Sequence, residues 1–276
     1  MKDLTRRVLM ALWGIPLILT LSYLGGYYFL FLILIVNGIS LWEFYTIYQT
    51  QNFHAYRKTG VFLSTLLLLI SFFFTLEIMF IAMGIITALI LIRHLKISQP
   101  TTSLNSIFTI GGIFYISFFL SMLLILRLNF ENWMELEFST NIAGRYFIAL
   151  WITIWLCDTA AYFGGKWLGK HKLAPTTSPN KTVEGAIFGF LGAVLFFGIA
   201  GSWYIPSLDS LYLWTSGIMV GIFGQLGDLV ESRFKRDAGV KDTSSLLPGH
   251  GGFLDRFDSL IFVSPFLFLL FYLANV

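Results

Sequence analysis

SRFKRDAGVKDTSSLLPGHGGFLDRFD, residues 232–258, is a polar stretch set between two apolar runs, at about 209–230 and 257–274, each long enough to span a membrane. Lys235, Arg236, Lys241, Asp242, His250, Asp255, Arg256 and Asp258 crowd this boundary. Dense cations suit phosphates, and carboxylates spaced like Asp255 and Asp258 suit a divalent metal. Pro248, Gly249, Gly251 and Gly252 bend the backbone and let it approach a bound group closely. A loop that only solvated two helix ends would need neither feature.

Outward from this stretch, apolar runs repeat along the whole chain. Hydrophobic residues make up 57% and charged residues 12%, with 29 Phe, a balance that excludes an ordinary soluble globule. A spanning helix needs about 20 mostly apolar residues to cross a hydrocarbon core about 30 Å thick. Nine stretches qualify, at about 8–25, 27–47, 59–75, 77–95, 108–126, 146–163, 185–203, 209–230 and 257–274. The division at Gly25 and Gly26 is the weakest boundary. The sequence thus predicts an all-α, polytopic membrane protein with about nine transmembrane helices, forming one integral membrane domain over 1–276. No small-residue cleavage site follows the first apolar stretch, so it is expected to be retained as a helix. The single cysteine, Cys157, lies inside an apolar run and excludes an intrachain disulfide.

Basic residues are retained on the cytoplasmic side of a membrane. Nine helices put Lys2, Arg6, Arg7, Arg57, Lys58, Arg93, Lys96, Lys166, Lys170, Lys172, Lys181, Arg233, Lys235, Arg236, Lys241 and Arg256 inside, and only Arg127 and Arg145 outside. The amino terminus is predicted inside and the carboxyl terminus outside. Glu131, Glu135 and Glu137 make the loop between the fifth and sixth spans acidic. A basic inner face favours anionic lipid headgroups and nucleotides. Nucleic acid is a poor partner, because no soluble binding module is present and the cations are divided among short loops.

The two parts of the chain differ in kind. Residues 1–126 read mainly as scaffold helices. Glu43 is the exception there, and a carboxyl near a helix end reads as structural or as snorkelling to the interface. Residues 127–276 read as catalytic helices and cytoplasmic loops. Asp158 and Asp228 lie in or at the ends of spans, where a charge costs roughly 2.5–3.5 kcal/mol on insertion scales and calls for a polar cavity or a partner.

Asp228, in GQLGDLVES, sits near a helix C-terminus whose partial negative charge disfavours it unless a cation is close. Metal ligation is the favoured reading, with pairing to Arg233 or Lys235 as the alternative. Asp255 and Asp258 share a helix face. Asp255 suits Mg²⁺, which is held by one or two carboxylates plus substrate phosphates, while Asp258 also suits an N-terminal cap. Between the sixth and seventh spans, DTAAYFGGKWLGKHKLAPTTSPNKTVEG places Lys166, Lys170, His171, Lys172 and Lys181 where a polyphosphate or acidic headgroup could meet them. Lys170 and Lys172 serve equally as topological anchors. Lys181 directly precedes an apolar helix, where Ser178, Thr182 and the first backbone amides could also meet a phosphate. There is no Walker-type glycine loop. His250 reads as a hydrogen-bond donor to phosphate, or as a shaper of its glycine-rich turn.

Ser232, Lys235, Arg236, Lys241, Asp242, Pro248, His250, Gly251, Gly252, Asp255, Arg256 and Asp258 match the signature of the phosphatidate cytidylyltransferases, or CDP-diglyceride synthases, which this chain closely resembles. The agreement runs upstream through Asp158, Gly165, Lys166, Gly169, the SPNKTVEG segment, Gly227, Asp228 and Glu231, and so covers most of 158–258. Val183 departs from the pattern, since many members carry Trp there, which touches packing or specificity more than chemistry. The resemblance implies a Mg²⁺-dependent transfer in which the phosphate of phosphatidic acid attacks the α-phosphorus of CTP, giving CDP-diacylglycerol and pyrophosphate. It implies that Asp228 and Asp255 hold the metal, with Asp258 and Asp158 as further ligands and room for a second cation, monovalent or divalent. Lys181, Lys235, Arg236 and Lys241 would neutralise the CTP and lipid phosphates. Ser178 and His250 would orient them, and Ser232 and Arg256 would complete the substrate-binding set. A homodimer in a bacterial-type inner membrane, with its site facing the cytoplasm at the ends of the sixth, eighth and ninth helices, also follows from the resemblance.

Two other readings use the same residues. A different CTP-using lipid enzyme, making a CDP-linked archaeal-type lipid or phosphorylating a polyprenol, would act on another acceptor. An ion-coupled transporter would run ions past Asp158 and Asp228, but it would place its site near the bilayer midplane, whereas the polar groups here gather on one side.

Overall fold

The computed structural model describes residues 2–51, 53–96, 102–136, 141–244, 246 and 251–275. Among these described residues the chain forms nine helices: α1 Lys2–Leu24, α2 Gly26–Ile47, α3 Arg57–Phe73, α4 Leu76–Leu95, α5 Thr102–Trp133, α6 Ile142–Leu168, α7 Val183–Tyr204, α8 Ser210–Asp237 and α9 Leu254–Asn275. Among the described residues seven of them are long and apolar enough to cross a membrane, and the apolar part described for α1, Leu12–Leu24, is shorter. The chain is an all-α, multi-pass integral membrane protein, with seven spans by length and composition where the sequence predicts about nine. α3 stops at 17 residues. The polar connection before α7 also holds a small antiparallel hairpin that the sequence reading did not anticipate, β1 Lys172–Ala174 paired with β2 Ser178–Thr182.

Two local devices set the geometry of the polar end. On α7, Gly185 and Gly189 face α6 so closely that an added Cβ would lie 2.7 Å from the carbonyl oxygen of Ala161 and 3.0 Å from that of Cys157. Lipid tails are as apolar as leucine, so membrane helices associate through such close backbone contact at small residues. On α8 the turn Val220–Gly224 is π-helical, a wide turn that leaves backbone groups loosely bonded. Gln225 closes it, its Nε2 donating to Gly221 O at 2.6 Å and to Ala186 O of α7 at 3.0 Å. α6, α7 and α8 are thereby locked side by side.

Aromatic contacts join helices within a mainly aliphatic interior. Phe130 of α5 lies 4.7 Å from Tyr146 of α6 and 4.8 Å from Phe271 of α9, ring centre to ring centre, and the Tyr146 hydroxyl shares a 2.8 Å hydrogen bond with Ser216 of α8. α4 carries an outward row of Ile81, Ile85, Leu89 and Ile92, which suits lipid.

At one end, α1 and α2 are separated by a backbone that only glycine adopts readily, with φ 67° and ψ −158° at Gly25. The Arg127 guanidinium fills the place a side chain would take there. Arg127 is buried and donates to Ser22 O at 3.1 Å, Tyr23 O at 2.9 Å and Asn141 Oδ1 at 3.3 Å. It thus satisfies the carbonyls left open where α1 ends, which accounts for a cation lying outside the basic face. At the opposite end the α2–α3 and α6–α7 connections meet the start of α5 and the end of α8. Gln51 Nε2 donates to Asp237 O at 2.5 Å, His54 N to Asn105 Oδ1 at 2.7 Å, and Arg236 Nε to Thr177 O at 3.2 Å.

Gly25→Ala is expected to lower stability by about 1–3 kcal/mol, the range for a residue forced into such a conformation. In detergent melts, the loss in Gly25→Ala combined with Arg127→Ala should fall short of the sum of the two single losses, because removing the guanidinium also removes the clash.

Candidate active site

A cavity of about 630 Å³ opens at this end between α6, the hairpin, α8 and the start of α9. Asp158, Tyr162 and Lys166 of α6 line it, together with Ser178, Asn180 and Lys181 of β2, Gln225, Asp228 and Lys235 of α8, Asp242 of the α8–α9 loop, and Asp255, Arg256 and Asp258 of α9. Four carboxylates predicted from sequence, carried by three helices, share this space with Ser178, Lys181, Lys235 and Arg256. The hairpin explains how Lys181 arrives there. Thr182 ends β2 and caps α7, its Oγ1 accepting from Gly185 N at 3.1 Å, so the preceding residue projects into the cavity.

Lys181 Nζ stands 2.5 Å from Asp228 Oδ2, with side chains 30% and 34% exposed. An ion pair this open to solvent stabilises weakly, so either member can exchange its partner for a substrate group. Ser232 Oγ donates to the other oxygen of Asp228 at 3.3 Å. Neither Arg233 nor Lys235, the cations named in sequence as alternative partners, reaches Asp228. Arg233 pairs with Asp237 at 2.9 Å, one turn along the exposed side of α8, while Asp228 faces the hairpin.

Lys235 occupies a second, buried arrangement. Its Nζ lies 2.6 Å from Glu231 Oε2 and 2.7 Å from Asp255 Oδ1, and Glu231 is 1% exposed. Asp255 Oδ2 accepts from Gly252 N at 2.8 Å and from Thr243 N at 3.4 Å. Asp258 is buried, accepts from Ser259 N at 2.6 Å, and interacts electrostatically with Asp228, Asp158 and Lys181.

Among the described residues no three acidic, histidine or cysteine side chains form a ready-made metal cage. Mg²⁺ does not need one, because it keeps several waters and takes one or two carboxylates plus substrate phosphates. The oxygens of Asp158, Asp228 and Asp258 on one cavity fit that chemistry. Asp255 lines the same cavity, but its oxygens are held more firmly than those of Asp228, one by the buried Lys235 and the other by two backbone amides.

Other expected residues sit elsewhere. Arg236 donates to Thr177 O and Val240 O, both at 3.2 Å, and so ties the hairpin to α8. Lys241 is exposed on the loop and is not among the residues lining the cavity. His171 Nδ1 is 2.6 Å from Glu184 Oε1, and the Lys170 amide donates to Glu184 Oε2 at 3.1 Å, so this part of the loop braces the start of α7. Val183, 38% exposed, begins α7 outside the cavity lining. His250, with Pro248 and Gly249, lies outside the described residues. Tyr162, Asn180 and Gln225 line the cavity without having been singled out in sequence, although Asn180 lies within SPNKTVEG.

Glu43 does not snorkel. It is 3% exposed and accepts four hydrogen bonds from the 243–254 segment. A carboxylate so supplied with donors inside the protein has no need to reach the interface.

Lys235→Met leaves Glu231 and Asp255 buried without their shared cation, and about 3–5 kcal/mol of stability should be lost. Adding Glu231→Gln should recover at least half of the fall in melting temperature. If the single variant melts like the wild type, the three side chains do not form the buried arrangement described.

The profile of the cytidylyltransferase family matches residues 5–274. A phosphatidate cytidylyltransferase of Synechocystis is 35% identical over 286 residues, covering 96% of this chain and 95% of that one. The Bacillus subtilis protein of the same name is 33% identical over 276 residues, 98% of each chain. One from Staphylococcus aureus is 49% identical over 127 residues, covering 46% of this chain and 48% of its own.

Proposed function

The chain belongs to the cytidylyltransferase family, and from that premise we propose that it transfers the cytidylyl group of CTP to phosphatidic acid. A phosphate oxygen of phosphatidic acid bonds to the α-phosphorus of CTP, the bond from that phosphorus to the α–β bridging oxygen breaks, and pyrophosphate leaves with the bond's electron pair. CDP-diacylglycerol is the other product. The carrying observation is the open Lys181 to Asp228 pair in a cavity shared by Asp158, Asp258, Ser178 and Arg256.

Nucleotidyl transfer depends on positioning and charge neutralisation more than on covalent help from the protein. Lys181 exchanges Asp228 for the triphosphate, and Arg256 and Ser178 meet the remaining phosphate oxygens. The nucleophile is already ionised near neutral pH, so no general base is needed, and His250 serves as a hydrogen-bond donor. Asp228, Asp258 and Asp158 are the carboxylates that would hold Mg²⁺, with Asp255 available only by exchanging its present partners. The ion, when bound, supplies neutralisation of the charge gathering on the departing pyrophosphate. The distribution of Lys and Arg supports a site on the cytoplasmic side of a bacterial-type inner membrane, where a soluble nucleotide meets a lipid headgroup.

Purified full-length protein given CTP, phosphatidic acid and Mg²⁺ should form CDP-diacylglycerol and pyrophosphate in equal amounts. Asp228→Asn should lower kcat about 100-fold or more, in line with losing one electrostatic stabiliser, and Lys181→Ala should raise KM for CTP about tenfold, the effect of about 1.4 kcal/mol. No product from folded wild-type protein sinks the assignment. Near-normal turnover of Asp228→Asn at saturating Mg²⁺ removes the metal role.

A further inference from the structure

Glu43 stands in α2, within the part of the chain that reads as scaffold, yet every hydrogen bond it accepts comes from the far end of the sequence. Its Oε1 accepts from Ser244 Oγ at 2.5 Å and Phe253 N at 2.9 Å. Its Oε2 accepts from Thr243 Oγ1 at 2.8 Å and Leu254 N at 2.8 Å. Phe253 and Leu254 stand at the start of α9, where free amides and the helix dipole favour an anion. A buried carboxylate with four donors is held by charge-assisted hydrogen bonds, the stronger kind.

Those partners bracket the donors of Asp255. Glu43 holds the side chain of Thr243 and the amide of Phe253. The amides of Thr243 and of Gly252, next to Phe253, hold Asp255 Oδ2. Asp255 Oδ1 then meets Lys235 in the cavity. We propose that Glu43 is a positioning residue for the transfer reaction, fixing from α2 the backbone at Thr243 and at 252–254 that presents Asp255 and the first turn of α9 to the cavity. The inference rests on the cytidylyl-transfer reading above.

Glutamine is the informative replacement because it keeps shape and volume. Each carboxylate oxygen of Glu43 faces one hydroxyl and one backbone amide. A hydroxyl can turn to accept, but an amide N–H cannot. Whichever way the new side-chain NH₂ points, it opposes the N–H of Phe253 or Leu254, and one of those bonds is lost.

The test measures steady-state kinetics and hydrogen–deuterium exchange of full-length wild type, Glu43→Gln and Arg127→Ala. Exchange is read on metal-free protein, so it stands apart from turnover. Glu43→Gln should lower kcat per folded molecule by about 10- to 100-fold, the scale of a small misplacement in an active site, with KM for CTP within about threefold of wild type. Its peptides covering 251–256 should exchange about tenfold faster or more, while those of α6 and α7 stay unchanged. Arg127→Ala, at the opposite end, should lower melting temperature without either effect. Wild-type exchange together with turnover within twofold of wild type in Glu43→Gln overturns the proposal. If Glu43→Gln does not accumulate folded, Thr243→Val with Ser244→Ala, which removes the two hydroxyl donors and keeps the carboxylate, decides the matter on the same two readouts. If the wild type itself makes no CDP-diacylglycerol, the functional reading fails, and exchange alone still decides whether Glu43 holds the loop.

Discussion

A carboxylate carried to membrane depth must find donors or cations, and the polar end of this protein is organised by the way each one does so. Asp228 has a half-exposed lysine. Glu231 and Asp255 share a buried one. Glu43 has no cation among its hydrogen-bond partners and is satisfied by two hydroxyls and two helix-start amides. These differ in how readily they can be exchanged. The open pair at Lys181 and Asp228 can release its members to a substrate, while the buried sets fix the backbone around it.

Convergence of these groups depends on helix packing well away from the charges. Small residues bring α7 against α6 and carry Asp158 towards Lys181. The π turn of α8, closed by Gln225, joins α7 to the helix that bears Asp228 and Lys235. The amino-terminal helices take part as well. Phe44 of α2 lies 5.4 Å from Phe234 of α8, and Tyr115 of α5 lies 5.5 Å from the same ring. Through these contacts and through Glu43, residues of α2 and α5 touch α8 and the start of α9 near the cavity.

Much of this was legible in the residues. Apolar runs located every helix, with ends displaced by up to seven residues, because a span is defined by composition more than by tertiary context. The polar stretch at 232–258 and the SPNKTVEG segment hold Lys181, Lys235, Asp242, Asp255, Arg256 and Asp258 of the cavity lining, and Asp158, Lys166 and Asp228 stood out at the ends of spans, since charges at a membrane boundary have few reasons to be there. Pairing was not legible. Asp228 was read as a metal ligand, with a cation on its own helix as the alternative partner, and its cation is Lys181 on β2 of the hairpin, a contact that sequence separation does not encode. Glu43 was read as structural or as snorkelling; it is structural, but its partners, uncharged and some two hundred positions away, leave no mark in the sequence around it. The hairpin escaped notice because strands of three and five residues are too short to show alternation. The small-residue face of α6 and α7 was readable as glycines spaced by four, and the reading passed over it.

Under the proposed function, carboxylates from separate helices share one cavity and would hold a divalent ion there together with CTP. Electron paramagnetic resonance of Mn²⁺, used in place of Mg²⁺ on the full-length protein with CTP, addresses it directly. The account predicts bound Mn²⁺ that depends on CTP in the wild type, and loss of that signal in the double variant Asp228→Asn with Asp258→Asn. Undiminished binding in the folded double variant would contradict it.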